Sequence, residues 1–566
     1  MVERAAPAPP GRGLTRRRLL AAGAGTGLGV WAAGAGTAAA ESAGDTTFDD
    51  TGLQVVRGAN VQAALAQVDD RLEGTLGGPG IINVRDYGAA GDGVTNDIPA
   101  VIDALIAEKS SSNPFEWVPR FDPEVGAVLY FPPGRYRLEG IVIVWLSGLE
   151  IVGAGAGLST LLFPQADYQG PFDYAPKLWV HDPRPDHRVH DVAVRDLTVT
   201  TDLVLDGDSP RESGESPLQA YLADRVEITG VEVVRSPAFG VSVTDCTEVM
   251  VDHCHVHDVH IDGIHLKGVV GGRVHACRVD HTGDDSIAVS GGYEDDHERN
   301  LSEQVVVTAN VCSRSGSRGI TVFGADGVIV ADNTVADTHQ SGIGVIPDRR
   351  SGNTRHVILR GNHISGVGTY GTSPDDVLWG AGTPYGIEVG SDDEANTPDH
   401  TVDDVLVEGN LVDRCLNGYV RVARADDVKV AGNLFYGPLQ TEQPAPGSYQ
   451  QVGSAGAGVM LPPPPPYDGG STPVFPAVRV RRAKRVRVDN NLLRPAPGER
   501  SVLVEGQAAA DVVRARVSDN SFDRGTSPPL GTGGADEVAI GPSGVLGYQG
   551  GNDVNDLAIA PASTPA

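Results

Sequence analysis

Asp262, Asp284, Asp285 and Arg318 are the residues whose types and spacing point to chemistry. Carboxylates held close together can divide acid and base roles between them, because like charges raise the pKa of one member. They are also hard oxygen ligands of the kind Ca²⁺ takes. A guanidinium beside them can orient a hydroxyl or carboxylate of a ligand. His265, shortly after Asp262, is the one histidine close enough to join the group.

These residues are far apart in the chain, so repeating elements must bring them together. A small or apolar pair recurs at Gly240-Val241, Gly263-Ile264, Ser286-Ile287, Gly319-Ile320 and Gly342-Ile343, in steps of 23, 23, 33 and 23 residues. A second marker (Val231, Cys254, Cys277, Asn310, Asn333) runs nine residues ahead of each pair. The constant offset makes the long step one insertion of ten residues, around Tyr293 to Ser302. Short alternating strands at this period are a solenoid signature, because no single turn can bury its own apolar face. Stacked coils place equivalent residues about 4.8 Å apart. The position before each pair then forms one column: Phe239, Asp262, Asp285, Arg318, Ser341. Further insertions are expected near Asp348–Asn353 and Gly366–Ala381, the second bringing Tyr370, Trp379 and Tyr385. These aromatics are read as faces for a sugar ring.

The start of the repeat region carries more specific text. Ile82-Asn83-Val84-Arg85-Asp86-Tyr87-Gly88 leads into Gly91-Asp92-Gly93 and a helix from about Ile98, with Val101, Ile102, Leu105 and Ile106 on one face. Then follows Val128-Leu129-Tyr130-Phe131-Pro132-Pro133-Gly134-Arg135-Tyr136. This resembles the opening of the pectate-lyase-like and polygalacturonase-like (glycoside hydrolase family 28-related) right-handed parallel β-helices. The resemblance implies an all-β solenoid whose N-terminal end is covered by the helix. It extends to Asp262-Gly263 and Gly283-Asp284-Asp285, which match two of the four motifs of the hydrolase family. Arg318 stands where that family has His, and no Arg-Ile-Lys motif is present.

By that analogy Asp284 is the general acid, while Asp262 and Asp285 activate water and the configuration inverts. His265, Arg318, Tyr370, Trp379 and Tyr385 bind substrate, with no cofactor. The pectate-lyase branch implies a different reaction from the same column. There Asp262, Asp284 and Asp285 would hold Ca²⁺, and Arg318 would take the proton next to a uronate carboxylate. Fructosyl transfer, and a non-catalytic glycan-binding or spike-like protein, are further alternatives. The hydrolase motifs fit more closely, so a secreted glycoside hydrolase acting on a poly- or oligosaccharide is the leading expectation.

Elsewhere the sequence bounds the answer. The formal charge is −30, and −34 without residues 1–40, which hold five Arg and one Glu. Such a surface repels nucleic acid and anionic membrane. Arg16-Arg17, a mild apolar run and Ala38-Ala39-Ala40 read as a twin-arginine export signal, so an extracytoplasmic location is expected. The expected layout is signal at 1–40, stem or linker at 41–80, β-helix at 81–540 and tail at 541–566. The five cysteines have no metal spacing and read as small buried hydrophobes. Val478–Val488 reads as one strand with a basic outer face. His253, His255, His257 and His260 read as a polar outer face, with a metal-binding face as the alternative.

Overall fold

The computed structural model describes residues 80–493, except 111–116, 166–174, 185–186, 204–214, 293–300, 348–350, 369–384, 392–400, 416–417, 437–477 and 482, together with short strands as far as 558. The expected export signal and stem at 1–79 lie outside the described residues, as do Tyr370 and Trp379.

Apolar residues alternating with polar ones give each coil three short strands, and the coils stack in parallel. Among the described residues, two sheets of 16 strands and one of 13 result, their strands pairing with equivalents one coil away. The architecture is the expected right-handed parallel β-helix. In one coil, Thr247–Asp252 belongs to the first sheet, His255–Val259 to the second and Ile264–Lys267 to the third. The chain turns at corners where even non-glycine residues take left-handed backbone, such as His253 (φ 51°) and Ala276 (φ 51°). A further left-handed residue interrupts five successive second-sheet strands at Arg235, Asp258, His281, Arg314 and Asp337, with φ between 51° and 60°.

The core is a set of aliphatic ladders. Val241, Ile264, Ile287, Ile320 and Ile343 pair in consecutive coils and are fully buried. This register is the one read from the repeated pairs, insertions included. The second marker series forms another ladder inside the corner between the first and second sheets. Asn310 Nδ2 donates to Asn333 Oδ1 (3.0 Å), and the chain of amides continues through Asn362, Asn410, Asn433 and Asn491 to Asn520. All five cysteines are buried free thiols.

At the N-terminal end the helix Ile98–Leu105 buries Ala100, Val101, Ala104 and Leu105 against the core. Ile106 leaves the helix to open a short strand paired with Val118–Pro119. Two expectations change at the other end. Val478–Arg481 and Val486–Asp489 belong to different sheets, because a corner with left-handed Arg485 separates them. The sheets also run past 540, since Gly544–Gly550 pairs with Val513–Ser518. Its glycines hide the apolar alternation that marks the other strands.

Candidate active site at a corner of the solenoid

The turn between the second and third sheets carries the column. Backbone amides link it from coil to coil: Gly240 donates to Asp262 O, Gly263 to Asp285 O, Ser286 to Arg318 O, Gly319 to Ser341 O and Gly342 to Tyr385 O. Asp262, Asp285, Arg318, Ser341 and Tyr385 therefore occupy one position in five successive coils. The side chains reinforce this alignment. Asp262 Oδ1 accepts from the Asp285 amide (2.9 Å), and Asp285 Oδ1 accepts from the Arg318 amide (2.9 Å). Each aspartate thus spends one oxygen on the next turn, as corner aspartates commonly do.

The arrangement goes beyond turn stabilisation. One oxygen from each of Asp262, Asp284 and Asp285 lies within 4.8 Å of the other two, with Asp262 and Asp285 buried and Asp284 half-buried. His265 is 6% exposed. Its Nδ1 lies 2.9 Å from Asp262 Oδ2, and its Nε2 lies 2.8 Å from Ser290 Oγ. Burial, aided by the nearby Lys267 charge and opposed by Asp285, pushes its pKa down to about 4. The ring is therefore neutral at ordinary pH, and Nδ1–H donates to Asp262 as a hydrogen bond rather than an ion pair. The edge of Phe239 packs on His265 with ring centroids 4.8 Å apart. His265 thus orients Asp262 from behind.

Arg318 reaches along the third sheet. Its Nη1 is 3.7 Å from Asp285 Oδ1, and its Cδ lies 3.1 Å from where a side chain at Gly344 would begin. Burial acts to lower its pKa, but Asp285, Glu388, Asp284 and Asp262 outweigh that and raise it. A cation is held there firmly. Among the described residues, Arg318 Nε and Thr321 Oγ1 are buried without a hydrogen-bond partner, so donor capacity remains beside the carboxylates.

Glu388 is the site residue that the sequence reading missed. It is buried, accepting from Ser341 Oγ (2.8 Å) and Arg421 Nη1 (2.5 Å). The signal was available, since Glu388 follows Gly386 by two residues as His265 follows Gly263, and the register puts them in one outward column. Tyr385 is corrected in role. It is fully buried, with the Arg421 guanidinium 5.9 Å from its ring, so it presents no open face to a sugar. A sequence position next to an insertion says nothing about which way the ring turns.

Three carboxylates and a fixed cation can transfer protons to and from a bound polyol. The same oxygens are close enough to share a cation, yet Ca²⁺ takes six to eight oxygen ligands. Asp262 already holds two N–H donors, and Arg318 occupies the side of Asp285 that an ion would share. The fit to a resident Ca²⁺ is poor.

Comparison with known proteins follows the same division of the chain. Residues 81–185 match the family model for rhamnogalacturonase A/epimerase, pectate lyase-like, and residues 239–438 match that for the right-handed β-helix region. No curated protein matches the sequence. Solved structures of similar shape include the family 28 exopolygalacturonase of Yersinia enterocolitica (14% identity, 84% of this chain and 78% of that one, TM-score 0.46). The mannuronan C-5 epimerase A-module of Azotobacter vinelandii is another (14%, 83% and 98%, TM-score 0.43). A third is the Streptococcus pneumoniae surface adhesin PfbA (12%, 86% and 96%, TM-score 0.42). Two enzymes and an adhesin at this distance carry no functional argument. No helix among the described residues is long and apolar enough to cross a membrane. The chain is a right-handed parallel β-helix protein whose first coils, residues 81–185, match a pectate lyase-like family model.

Proposed function

We propose that the chain is a carbohydrate-active enzyme that hydrolyses a glycosidic bond at the corner carrying Asp262, Asp284 and Asp285. The observation that carries this reading is the convergence of the three carboxylates within 4.8 Å beside a firmly protonated Arg318. Asp284, half-buried and so nearest to solvent, donates a proton to the leaving oxygen. Asp262 and Asp285 hold the water that attacks the anomeric carbon and take up its proton. His265 keeps Asp262 aligned, and Arg318 orients a hydroxyl or carboxylate of the sugar.

The spacing of the carboxylates bears on stereochemistry. Retaining enzymes place the two groups about 5–5.5 Å apart and inverting ones about 6.5–9.5 Å. Inversion, which this division of labour requires, needs Asp284 to stand off from the pair once sugar and water lie between them. The anomer released first reads this directly.

Calcium-dependent elimination is the second reading, favoured by the same carboxylate cluster. It requires Arg318 to act as the base, and the raised pKa of that guanidinium weighs against it. The test is turnover of a panel of plant and microbial polysaccharides by the full chain, with and without chelator, beside Asp285→Asn. Hydrolysis persists in chelator and falls about 10²–10⁴-fold in the variant, the range for acid–base groups. Activity that vanishes with chelator and returns with Ca²⁺ overturns the proposal. Carbohydrate binding without turnover, unchanged in Asp285→Asn, would make the protein a glycan binder. Export through the twin-arginine leader is part of the same proposal, and exchanging Arg16-Arg17 for lysines should leave the protein inside the cell.

A further inference from the structure

Seven of the 15 histidines fall between residues 253 and 281, and the proposed reaction uses only His265. His255 and His257 share the outward face of one second-sheet strand, with Val256 buried between them. Glu232 lies in the preceding coil, in register with His255. One ligand atom from each of the three lies within 4.8 Å of the others, and Glu232 Oε1 is 3.4 Å from His257 Nε2. A tetrahedral zinc ion with bonds of about 2.0–2.1 Å sets its ligands about 3.4 Å apart.

Glu232 and His257 are oriented as metal ligands usually are, through partners on their far sides. His257 Nδ1 meets Asp258 Oδ2 at 2.7 Å, which turns Nε2 toward Glu232. Asp258 is held in left-handed backbone (φ 54°), and its other oxygen meets His281 Nδ1 at 2.6 Å. Thr198 Oγ1 donates to Glu232 Oε2 (2.7 Å), leaving Oε1 for His257. The His255 ring stacks on that of His257, with centroids 4.3 Å apart. The side chains of His257 (22% exposed) and Glu232 (27% exposed) can be reached by an ion from solvent. The nearby Arg278 is drawn toward Asp280, which also binds Arg314.

We propose that Glu232, His255 and His257 form a binding site for a zinc-class divalent ion, which clamps two successive coils and keeps one position open to water. Two imidazoles and one carboxylate suit zinc and disfavour Ca²⁺ or Mg²⁺, which take oxygen ligands. The rival group of Asp252, His253 and His275 is less built. Both of its imidazoles spend Nδ1 on the two oxygens of Asp252, and His253 is 65% exposed.

The test is titration of the metal-stripped full chain with Zn²⁺ alone, followed by calorimetry and thermal melting. One Zn²⁺ should bind per chain and raise the melting temperature, while Ca²⁺ does not compete. His257→Gln and Glu232→Gln should each weaken binding tenfold or more and abolish the Zn²⁺-dependent rise in melting temperature. Asp258→Asn should weaken it about tenfold, and His253→Gln should leave it unchanged. If His257→Gln fails to fold, Glu232→Gln carries the comparison. No uptake of Zn²⁺, uptake unchanged in Glu232→Gln, or uptake lost in His253→Gln overturns the proposal.

Discussion

His265 shows how one buried side chain can support the proposed site by fixing its neighbour. It is neutral and buried, and its job is to hold Asp262. With a pKa of about 4 in the fold against 6.5 unperturbed, only the unfolded chain takes up its proton between those values. Stability should therefore fall as pH drops from about 6.5 to about 4 and level off below that, by on the order of 3 kcal/mol. His265→Gln should flatten that part of a plot of melting temperature against pH, while the slope at lower pH remains. Asp285 separates structure from chemistry in a different way. An asparagine there keeps the Oδ1 that caps the Arg318 amide, so the turn should survive while the proposed acid–base function is lost.

At the scale of strands and ladders, position matters more than residue type. Gly344 leaves the groove in which the Arg318 side chain lies, and a methyl group would begin 3.1 Å from Arg318 Cδ. Gly344→Ala should raise KM several-fold through a displaced Arg318, with little change in melting temperature; unchanged kinetics would mean that Arg318 does not touch substrate. The asparagine ladder makes the opposite kind of prediction. Asn333 accepts from both the amide and Nδ2 of Asn310 and donates to Val307 O. Asn333→Ala should cost about 2–4 kcal/mol, since several buried groups lose partners, and chemical denaturation would measure it. Both the Asp262–Asp285–Arg318 column and the start of this ladder were legible in the sequence because the nine-residue offset holds through the five coils from Val231 to Ile343, across the insertion near 293–302. Glu388 and Arg421 were missed because two insertions separate them from the regular coils, although the same counting places them. Tyr385 was misread because spacing gives the column a residue occupies but not the direction its ring faces.

For the whole molecule, stacking explains why so few residues need to be special. Each coil repeats the same ladders, and both corners depart from the aliphatic rule: asparagines stack between the first and second sheets, and charged side chains gather between the second and third. The fold alone does not choose among hydrolysis, elimination and glycan binding; the proposal of hydrolysis rests on the three aspartates and the cation beside them. The most direct measurement is the mass of the product released from a cleaved glycan in water enriched in heavy oxygen. Hydrolysis at the aspartate column predicts that each cut adds one water, with the heavy oxygen on the new reducing end, and that Asp285→Asn loses the cut. A product lacking that oxygen and carrying a double bond that absorbs in the ultraviolet would contradict it.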